Sequence, residues 1–576
     1  MITANMRTTW RRALALPWLF IPAFLIGVFL RFHGLFDQIL LDDEWHSLNF
    51  VLDKTLGTVL TTHGLGANCI PQNVVHWLLL HTVGWAEWTL YLPSIFFGAL
   101  GLLIFPRLVA RLTGRNVAVL FSYAFALSPC ITFYSRIVRP YSTVLFFGFL
   151  ALLLFTLWIR EGRPRHLWAY VLCGFVAVYF HLYAALPVFS PLAALLIWAI
   201  VRRHRLASCP WISPKILAGA GLLLALLLIL FLGPAHWRNP WWLHSLGQRS
   251  FTLEGLWEFL SLLAGTRLAG FKLMFVGLAV VGLQVWMKRD FRSGLVLLAP
   301  WAAFCLLVVC STQDNMHAGI QIARYNIVLF PVTIWLAAIG LDHLLERLFH
   351  VIPGGIRLGA GILWIVAPIL AGSSIWQTHA RPNNFMHHSA FQDSYAPFDW
   401  SRSRRRALVA MPQMADTDIP ALYAQLAVDP AVPGIIEYPM LAGDSLNYYY
   451  FYQRWHRKPV AIGYIPDRIL PPLPSRDDYI SHATPLDYIL GRAGRAGYGN
   501  KLRFRNLVPL TNPSKLCKYH GWVLIIHLDI LKETLRIRDY QTDVAVTPPP
   551  WLEKWCTTRL GPPLASGMKL QAWRIP

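Results

Sequence analysis

A short acidic run contains the residues best suited to chemistry, Leu41-Asp42-Asp43-Glu44-Trp45-His46-Ser47. If this run is helical, Asp43, His46 and Ser47 share one face, because residues three and four apart are neighbours on a helix. Asp43 and Glu44 then diverge, so only one of these two carboxylates can face a substrate directly. Such a carboxylate can take the proton of an acceptor hydroxyl as the hydroxyl attacks. The alternative is that these interfacial acids cap the following helix.

Three more groups of polar residues lie where apolar runs end. The groups are Tyr134 to Ser142, which contains Arg136, Arg139 and Tyr141; Tyr179 to Tyr183, which contains His181; and Ala323-Arg324-Tyr325. The planar fork of arginine suits a pair of phosphate oxygens. The alternatives are arginines that reach lipid headgroups and a histidine or tyrosine that belongs to an interfacial belt.

The elements that must position these residues are membrane helices. The chain is 56% hydrophobic and only 14% charged, which soluble domains do not show. With about 20 apolar residues for one crossing, eleven spanning segments are predicted. They lie near 13–32, 91–110, 117–135, 140–159, 166–180, 182–201, 216–234, 268–287, 294–310, 326–345 and 356–375.

Basic residues follow every even-numbered span, and lysine and arginine favour cytoplasmic loops. This pattern predicts a multi-pass protein of the bacterial inner (plasma) membrane, with a cytoplasmic N-terminus. The net charge of +22 is then explained by loops and lipid headgroups. We find no basic-aromatic motif of the kind that binds nucleic acid, so nucleic acid is excluded as a partner.

Two domains are predicted. Residues 1–375 form a transmembrane module with a first exported loop at 33–90, and residues 376–576 form a periplasmic soluble α/β domain. Strand-like runs in the second domain lie at 407–411, 434–438, 459–464 and 522–528. An oxidising compartment would also permit a disulfide between Cys517 and Cys556. That pairing stays open at this point.

All four polar groups fall on the exported side of the predicted topology, which is how an active site at the membrane surface would be assembled. The chain resembles the GT-C glycosyltransferases, specifically the family 39 group that includes protein O-mannosyltransferases and the lipid A aminoarabinose transferase. The run Leu41 to Leu48 is similar to their first-loop Asp-Glu signature, and Tyr134 to Ser142 to their Arg-Pro-Tyr motif. Three shorter segments also match, namely Tyr91-Leu92-Pro93-Ser94, His181 and Arg324-Tyr325.

The resemblance implies a glycosyltransferase with a polyprenyl-phosphate-linked sugar as donor and inversion at the anomeric carbon. The acceptor would be a lipid, a glycan or a protein on the exported face. Asp43 becomes the general base and Glu44 its acceptor-binding or orienting neighbour. The remaining candidates are assigned to the donor phosphate (Arg136, Arg139, Arg324, Tyr325, His181) and to the acceptor or other contacts (Asp42, His46, Tyr141).

The chain departs from this family at two places in or near the first loop. Cys69 to His76 replaces a Pro-Pro-Leu-Tyr stretch, and Tyr91 stands where an arginine usually precedes Leu-Pro-Ser. These differences concern the acceptor rather than the fold. A divalent metal held by Asp42, Asp43, His46 and His63 is an open alternative. No metal or other cofactor is otherwise assigned.

Two other functions fit a chain of this kind. A transporter or flippase for lipid-linked saccharides would also have many spans and interfacial arginines. However, transporters place ionisable residues and broken helices at mid-bilayer and show internal repeats, and neither pattern is visible here. An envelope-assembly protein without catalysis would tolerate changes at Asp43.

Overall fold

A computed structural model provides the structure of this protein. It describes residues 17–32, 35, 36, 40, 44, 48, 51, 54–63, 69–84, 87–202, 211–238, 253–266, 268–310, 319–376, 419–438, 452, 453, 455, 456, 458, 460, 461, 519–528, 550–567 and 570–576. The described residues form two compact units. One unit contains those from 17 to 36 and from 48 to 376, and the other contains residues 40 and 44 and those from 419 to 576.

The first unit is helical throughout its described part. Its helices are α1 (Phe20–Phe32), α2 (Leu56–Thr61), α3 (Ile70–Thr82), α4 (Glu87–Thr113), α5 (Arg115–Leu127), α6 (Pro129–Tyr134), α7 (Tyr141–Glu161), α8 (Pro164–Phe180), α9 (Ala185–Val201), α10 (Pro214–Arg238), α11 (Leu253–Ala264), α12 (Ala269–Arg289), α13 (Phe291–Cys310), α14 (Gly319–Tyr325), α15 (Leu329–Leu348) and α16 (Gly354–Trp376). Short 3₁₀ turns precede α1 and α9.

Every predicted span except the third overlaps one of these helices, and residues 13–16 of the first span lie outside the described residues. Seven of the described helices are long and apolar enough to cross a membrane, and four shorter ones are apolar. The protein is therefore a polytopic α-helical membrane protein. The predicted boundary between domains at 375 and the direction of the spans stay predictions.

The third predicted span, 117–135, is wrong as a single helix. It is divided into α5 and α6 at Ser128. The residue after Ser128 is Pro129, which has no backbone N–H to donate to the carbonyl four residues before it, and its ring clashes with that carbonyl in a continuing helix. Proline is instead favoured at the first position of a new helix, where α6 begins.

Two glycines bring α12 and α15 together at their backbones. A Cβ atom on Gly282 would overlap the carbonyl oxygen of Leu336, and one on Gly340 would overlap the carbonyl oxygen of Leu278. Small residues allow this close approach between membrane helices, where van der Waals packing drives association. This close crossing holds α15 against α12, and α15 is the helix that follows α14 in the chain.

We expect Gly340→Ala to destabilise the protein, because the added methyl group must push one helix backbone away from the other. Overpacking of this kind costs about 1–3 kcal/mol or more. The temperature of unfolding in detergent should fall accordingly. Gly277→Ala is the matched control, since Gly277 lies in α12 and a Cβ atom added there would meet no neighbouring atom within 4 Å. Equal unfolding temperatures for the two variants would contradict the proposed close crossing.

The described part of the second unit contains a five-stranded sheet and two helices. The described elements are α17 (Ala421–Val428), β1 (Ile435–Tyr438), β2 (Val460–Ala461), β3 (Val523–His527), α18 (Pro550–Leu560), β4 (Ala565–Ser566) and β5 (Leu570–Arg574). The strand order is β2-β1-β3-β5-β4. Strand β1 is parallel to its neighbours β2 and β3, and β5 is antiparallel to both β3 and β4. Three predicted strand runs contain β1, β2 and β3, while the run at 407–411 lies outside the described residues. A C-terminal domain that contains a sheet and helices is thus present, as predicted.

A buried polar network joins α17 to β1 and β3. The Tyr423 hydroxyl donates to the Glu437 carboxylate at 2.8 Å, and the His527 ring nitrogen Nε2 lies 2.8 Å from the same carboxylate. Tyr452 stacks on Tyr423 with 4.5 Å between ring centroids. All four side chains are buried. Because their polar groups are paired, the network lets the sheet bury a carboxylate in its core.

The thiol of Cys556 is free and buried. Burial raises the pKa of this thiol to about 12. Its suggested partner, Cys517, lies outside the described residues. The pairing of these two cysteines therefore stays a prediction.

Candidate functional site

Of the acidic run in the first loop, Leu41 to Ser47, the structure describes one residue, Glu44. It is helical and fully buried. The other candidates from this run, Asp42, Asp43 and His46, lie outside the described residues. Their roles stay predictions.

The turn between α6 and α7 holds the first basic group. Arg136 is fully buried, and its Nη1 donates to the Leu30 carbonyl of α1 at 3.0 Å. Burial lowers the pKa of Arg136 to about 10, so the guanidinium remains charged at neutral pH. Tyr91, the residue that replaces the arginine expected before Leu-Pro-Ser, lies near this charge and counteracts the lowering. Arg136 thus ties the turn to the core of the helical unit.

Arg139 lies in the same turn and is held from α4. The Ser94 hydroxyl donates to the Arg139 carbonyl at 3.2 Å, and the Ser142 hydroxyl donates to the Ser94 carbonyl at 2.7 Å. These two bonds attach the Leu-Pro-Ser segment to the Arg-Pro-Tyr segment. The guanidinium carbon of Arg139 is 5.9 Å from the centroid of the Tyr141 ring, a cation–π distance.

Aromatic rings connect this turn to two other helix junctions. His181, between α8 and α9, lies with its ring centroid 5.7 Å from that of Tyr141 and 5.6 Å from that of Tyr325. Tyr183 stacks on Tyr325 at 4.5 Å. Arg324 completes the series, because its Nη2 donates to the Tyr325 hydroxyl at 3.0 Å.

The structure therefore brings together five of the residues singled out from the sequence. We call them the cation–aromatic cluster, comprising Arg139, Tyr141, His181, Arg324 and Tyr325. An arginine stands at each end, with three rings between. The two members from α14, Arg324 and Tyr325, are partly exposed, whereas Arg139, Tyr141 and His181 are buried.

Helix α11 supports the α14 end of the cluster. A Glu258 carboxylate oxygen accepts the Gly319 backbone N–H at 3.0 Å, which caps the start of α14. A Cβ on Gly319 would meet the Glu258 Cβ and the Phe259 backbone, so only glycine permits this approach. Lys272 in turn holds α11, since its ammonium donates to the Ser261 hydroxyl at 2.8 Å and lies 3.4 Å from the Trp257 ring centroid.

Sequence reasoning missed two residues beside Arg139. Gln72 and His76 of α3 are fully buried, and the Gln72 side-chain amide lies 2.7 Å from His76 Nε2. Burial, followed by the positive charge of Arg139, lowers the pKa of His76 to about 3. The sequence did contain a signal for them, namely two polar residues four positions apart in a largely apolar helix.

Metal ligands are not grouped in the part of the chain that the structure describes. Among those residues, no three histidine, cysteine, aspartate or glutamate side chains stand together in a way that would hold an ion. His63 is paired instead with His236, with 3.0 Å between Nε2 and Nδ1. The other candidate ligands, Asp42, Asp43 and His46, lie outside the described residues, so metal binding there stays a prediction.

The cation–aromatic cluster combines two guanidinium groups, which can pair with phosphate oxygens, with rings that offer a face to a sugar or a lipid. Such an arrangement is suited to a large anionic ligand at the end of a helical bundle. It holds no nucleophile of its own. The chemistry it supports is electrostatic stabilisation of negative charge on a ligand.

Comparison with solved structures identifies the fold. The chain is similar to ArnT from Cupriavidus metallidurans in the apo state, with 15% identity, a TM-score of 0.52 and 97% of each chain covered. The structure of that protein bound to undecaprenyl phosphate gives the same identity and TM-score, with 98% of each chain covered. No family model and no curated protein matches the chain. At this level of identity the likeness shows the fold, which is the GT-C fold.

Proposed function

We propose that this GT-C-fold protein is a membrane glycosyltransferase that moves a sugar from a polyprenyl-phosphate carrier to an acceptor. The cation–aromatic cluster carries the proposal, because it gathers two arginines and three rings from three separate helix junctions. The solved relative of the same fold that was crystallised with undecaprenyl phosphate supports this class of donor.

In the proposed reaction an acceptor hydroxyl oxygen attacks the anomeric carbon from the face opposite the phosphate. The bond between that carbon and the phosphate oxygen breaks, the configuration inverts, and polyprenyl phosphate leaves with the electron pair. Asp43 takes the proton of the hydroxyl as general base. Glu44, which is fully buried, orients Asp43 or the acceptor rather than reacting itself. Asp42, His46 and Tyr141 are assigned to the acceptor side.

Charge builds up on the phosphate as the bond breaks, so groups that bind it more tightly in the transition state accelerate the reaction. Arg139 and Arg324 provide this charge, with the Tyr325 hydroxyl held by Arg324 and with His181 between the rings. Arg136 contributes at longer range, because its Nη1 is engaged by the Leu30 carbonyl. A divalent metal beside the first-loop acids remains compatible with this scheme.

The lipid part of the donor needs apolar surroundings within the bundle. An open apolar cavity is lined by residues of α5, α12, α15 and α16, among them Phe275, Ala338 and Trp364. Helix α15 begins four residues after Tyr325, so one element leads from the cluster to the cavity. A prenyl chain lying in this cavity would keep its phosphate end close to the start of α15.

The proposed location is the bacterial inner membrane, with a cytoplasmic N-terminus, a periplasmic C-terminal domain from residue 376 and the cluster on the exported side. The positive-inside pattern of the loops supports this orientation. A transporter or flippase of lipid-linked saccharides is the alternative. The position of the cluster at helix ends favours transfer at the surface over passage through the bundle.

The proposal is tested by mass spectrometry of membrane lipids and envelope glycans from cells with and without the protein. We expect cells lacking it to accumulate a polyprenyl-phosphate sugar and to lose that sugar from one envelope acceptor. Purified protein should also transfer the sugar from the accumulated lipid. A lipid pool and glycans that stay unchanged would overturn the proposal, whereas movement of the intact lipid-linked sugar across liposome membranes without transfer would favour the flippase.

A further inference from the structure

Helix α3 has two faces that are buried for different reasons. Ile70 packs with Leu232 and Ala235 of α10, and Val74 lies against the same group. Gln72 and His76 lie on another side of the helix, since a residue two positions along is turned by about 200°. Both are fully buried, so α3 buries a polar face as well as an apolar one.

The polar face is incompletely paired. Within the described residues, the Gln72 Oε1 atom and the His76 Nδ1 atom are buried and have no hydrogen-bond partner. Leaving a buried polar atom unpaired is unfavourable, by about 1–3 kcal/mol for each group. Native proteins contain few such atoms, and each one calls for a reason.

The hydrogen bond between the two residues decides what they can offer to a ligand. The Gln72 amide nitrogen can only donate, so His76 Nε2 accepts. With a pKa of about 3, His76 is uncharged at neutral pH, and its single ring proton is therefore on Nδ1. The pair presents one neutral donor, Nδ1–H, and one neutral acceptor, Oε1. A hydroxyl or an amide group satisfies both at once, whereas a phosphate satisfies only the donor.

We propose that Gln72 and His76 form a recognition pair for an uncharged hydroxyl or amide group on the transferred sugar, beside the phosphate-binding Arg139. This inference rests on the proposed function and deepens it, because it assigns the sugar, rather than the carrier, to α3. The pair lies in the segment where the chain departs from the Pro-Pro-Leu-Tyr stretch of the family it resembles. Helix α3 packs against α2, α4 and α8, so it must separate from one of them for a ligand to reach these buried atoms.

The experiment measures how far ligands raise the unfolding temperature of the full-length protein in detergent. The probes are undecaprenyl phosphate alone and undecaprenyl phosphate carrying a neutral hexose or an acetamido sugar. The test variants are Gln72→Met and His76→Phe, each of which keeps the approximate volume and removes one member of the pair. His81→Phe is the matched control, because His81 is an exposed histidine of the same helix.

For the wild-type protein we expect at least one glycosylated carrier to raise the unfolding temperature more than the bare carrier does. Both test variants should lose this additional rise, with about tenfold weaker binding of the glycosylated carrier, as expected for one hydrogen bond. They should keep the rise given by undecaprenyl phosphate alone. Without ligand, each variant should unfold somewhat below the wild type, because the remaining member of the pair has lost its hydrogen bond.

Other outcomes overturn the inference. An additional rise that persists in both variants would show that the pair does not contact the sugar, and a loss of both rises would assign α3 to the phosphate. Should either variant unfold early, His76→Gln provides the second measurement, because it keeps a neutral donor and should retain part of the additional rise. A wild-type protein that responds to the bare carrier alone contradicts the inference only, whereas one that responds to no carrier contradicts the proposed function itself.

Discussion

Replacing Asp43 with asparagine should lower the rate of sugar transfer by about a hundredfold or more, the usual effect of losing a general base. Asparagine keeps the size of the side chain, but it cannot accept the proton of the acceptor hydroxyl. The loss should fall on kcat, because the donor phosphate is bound elsewhere, at the cation–aromatic cluster. Transfer is measured with purified enzyme and the donor lipid identified from cells lacking the protein.

Two controls make the Asp43 result specific. Asp53→Asn makes the same change in the same predicted loop and should leave turnover close to that of the wild type. Undecaprenyl phosphate should stabilise Asp43→Asn as much as it stabilises the wild type, which would show that the fold and the donor site are intact. Turnover of Asp43→Asn within a few-fold of the wild-type rate would rule out Asp43 as the base.

Arg139→Lys should weaken donor use by about tenfold or more. Lysine preserves the charge but loses the planar fork that engages two phosphate oxygens, and a charge-assisted hydrogen bond contributes about 1.5–3 kcal/mol. The change should raise the Kd for undecaprenyl phosphate with and without a sugar. This separates Arg139 from Gln72 and His76, whose replacement should affect only the glycosylated carrier.

Arg107→Lys is the matched control for Arg139→Lys. Arg107 is an exposed arginine of α4 whose Nη1 donates to the Leu103 carbonyl of its own helix. Its replacement should leave donor affinity unchanged. If Arg139→Lys binds undecaprenyl phosphate as tightly as this control does, Arg139 interacts with lipid headgroups or the protein interior and not with the donor.

The sequence predicted the helical part of the fold well, because a bilayer demands long apolar segments. It predicted the helix boundaries less well where a single residue interrupts a helix, as at Pro129, which divides the third predicted span into α5 and α6. In the soluble domain the run from 522 to 528 was apolar enough to predict β3. Strand β5 was missed because Gln571 and Arg574 interrupt a stretch of only five residues, although Leu570, Ala572 and Trp573 are buried.

The candidate site was predictable where a polar residue ended an apolar run. His181, Arg324 and Tyr325 were recognised this way, and the structure adds the ring contacts that join them to Tyr141. Gln72 and His76 were missed because their importance depends on a neighbour, Arg139, that is 63 positions further on than His76 in the sequence. Contacts between distant segments are set by packing, which a local pattern does not encode.

The strand order of the soluble domain has a consequence for how the protein is made. Strand β1 ends at Tyr438, but its partner β3 begins at Val523, and β3 must also receive β5 at Leu570–Arg574. The sheet therefore cannot be completed before β5 has been made. Until residue 574 has been made, one edge of β3 has no partner, and exposed strand edges invite pairing with other chains. During biogenesis the sheet is therefore open to aggregation until its last-made strand, β5, has been added.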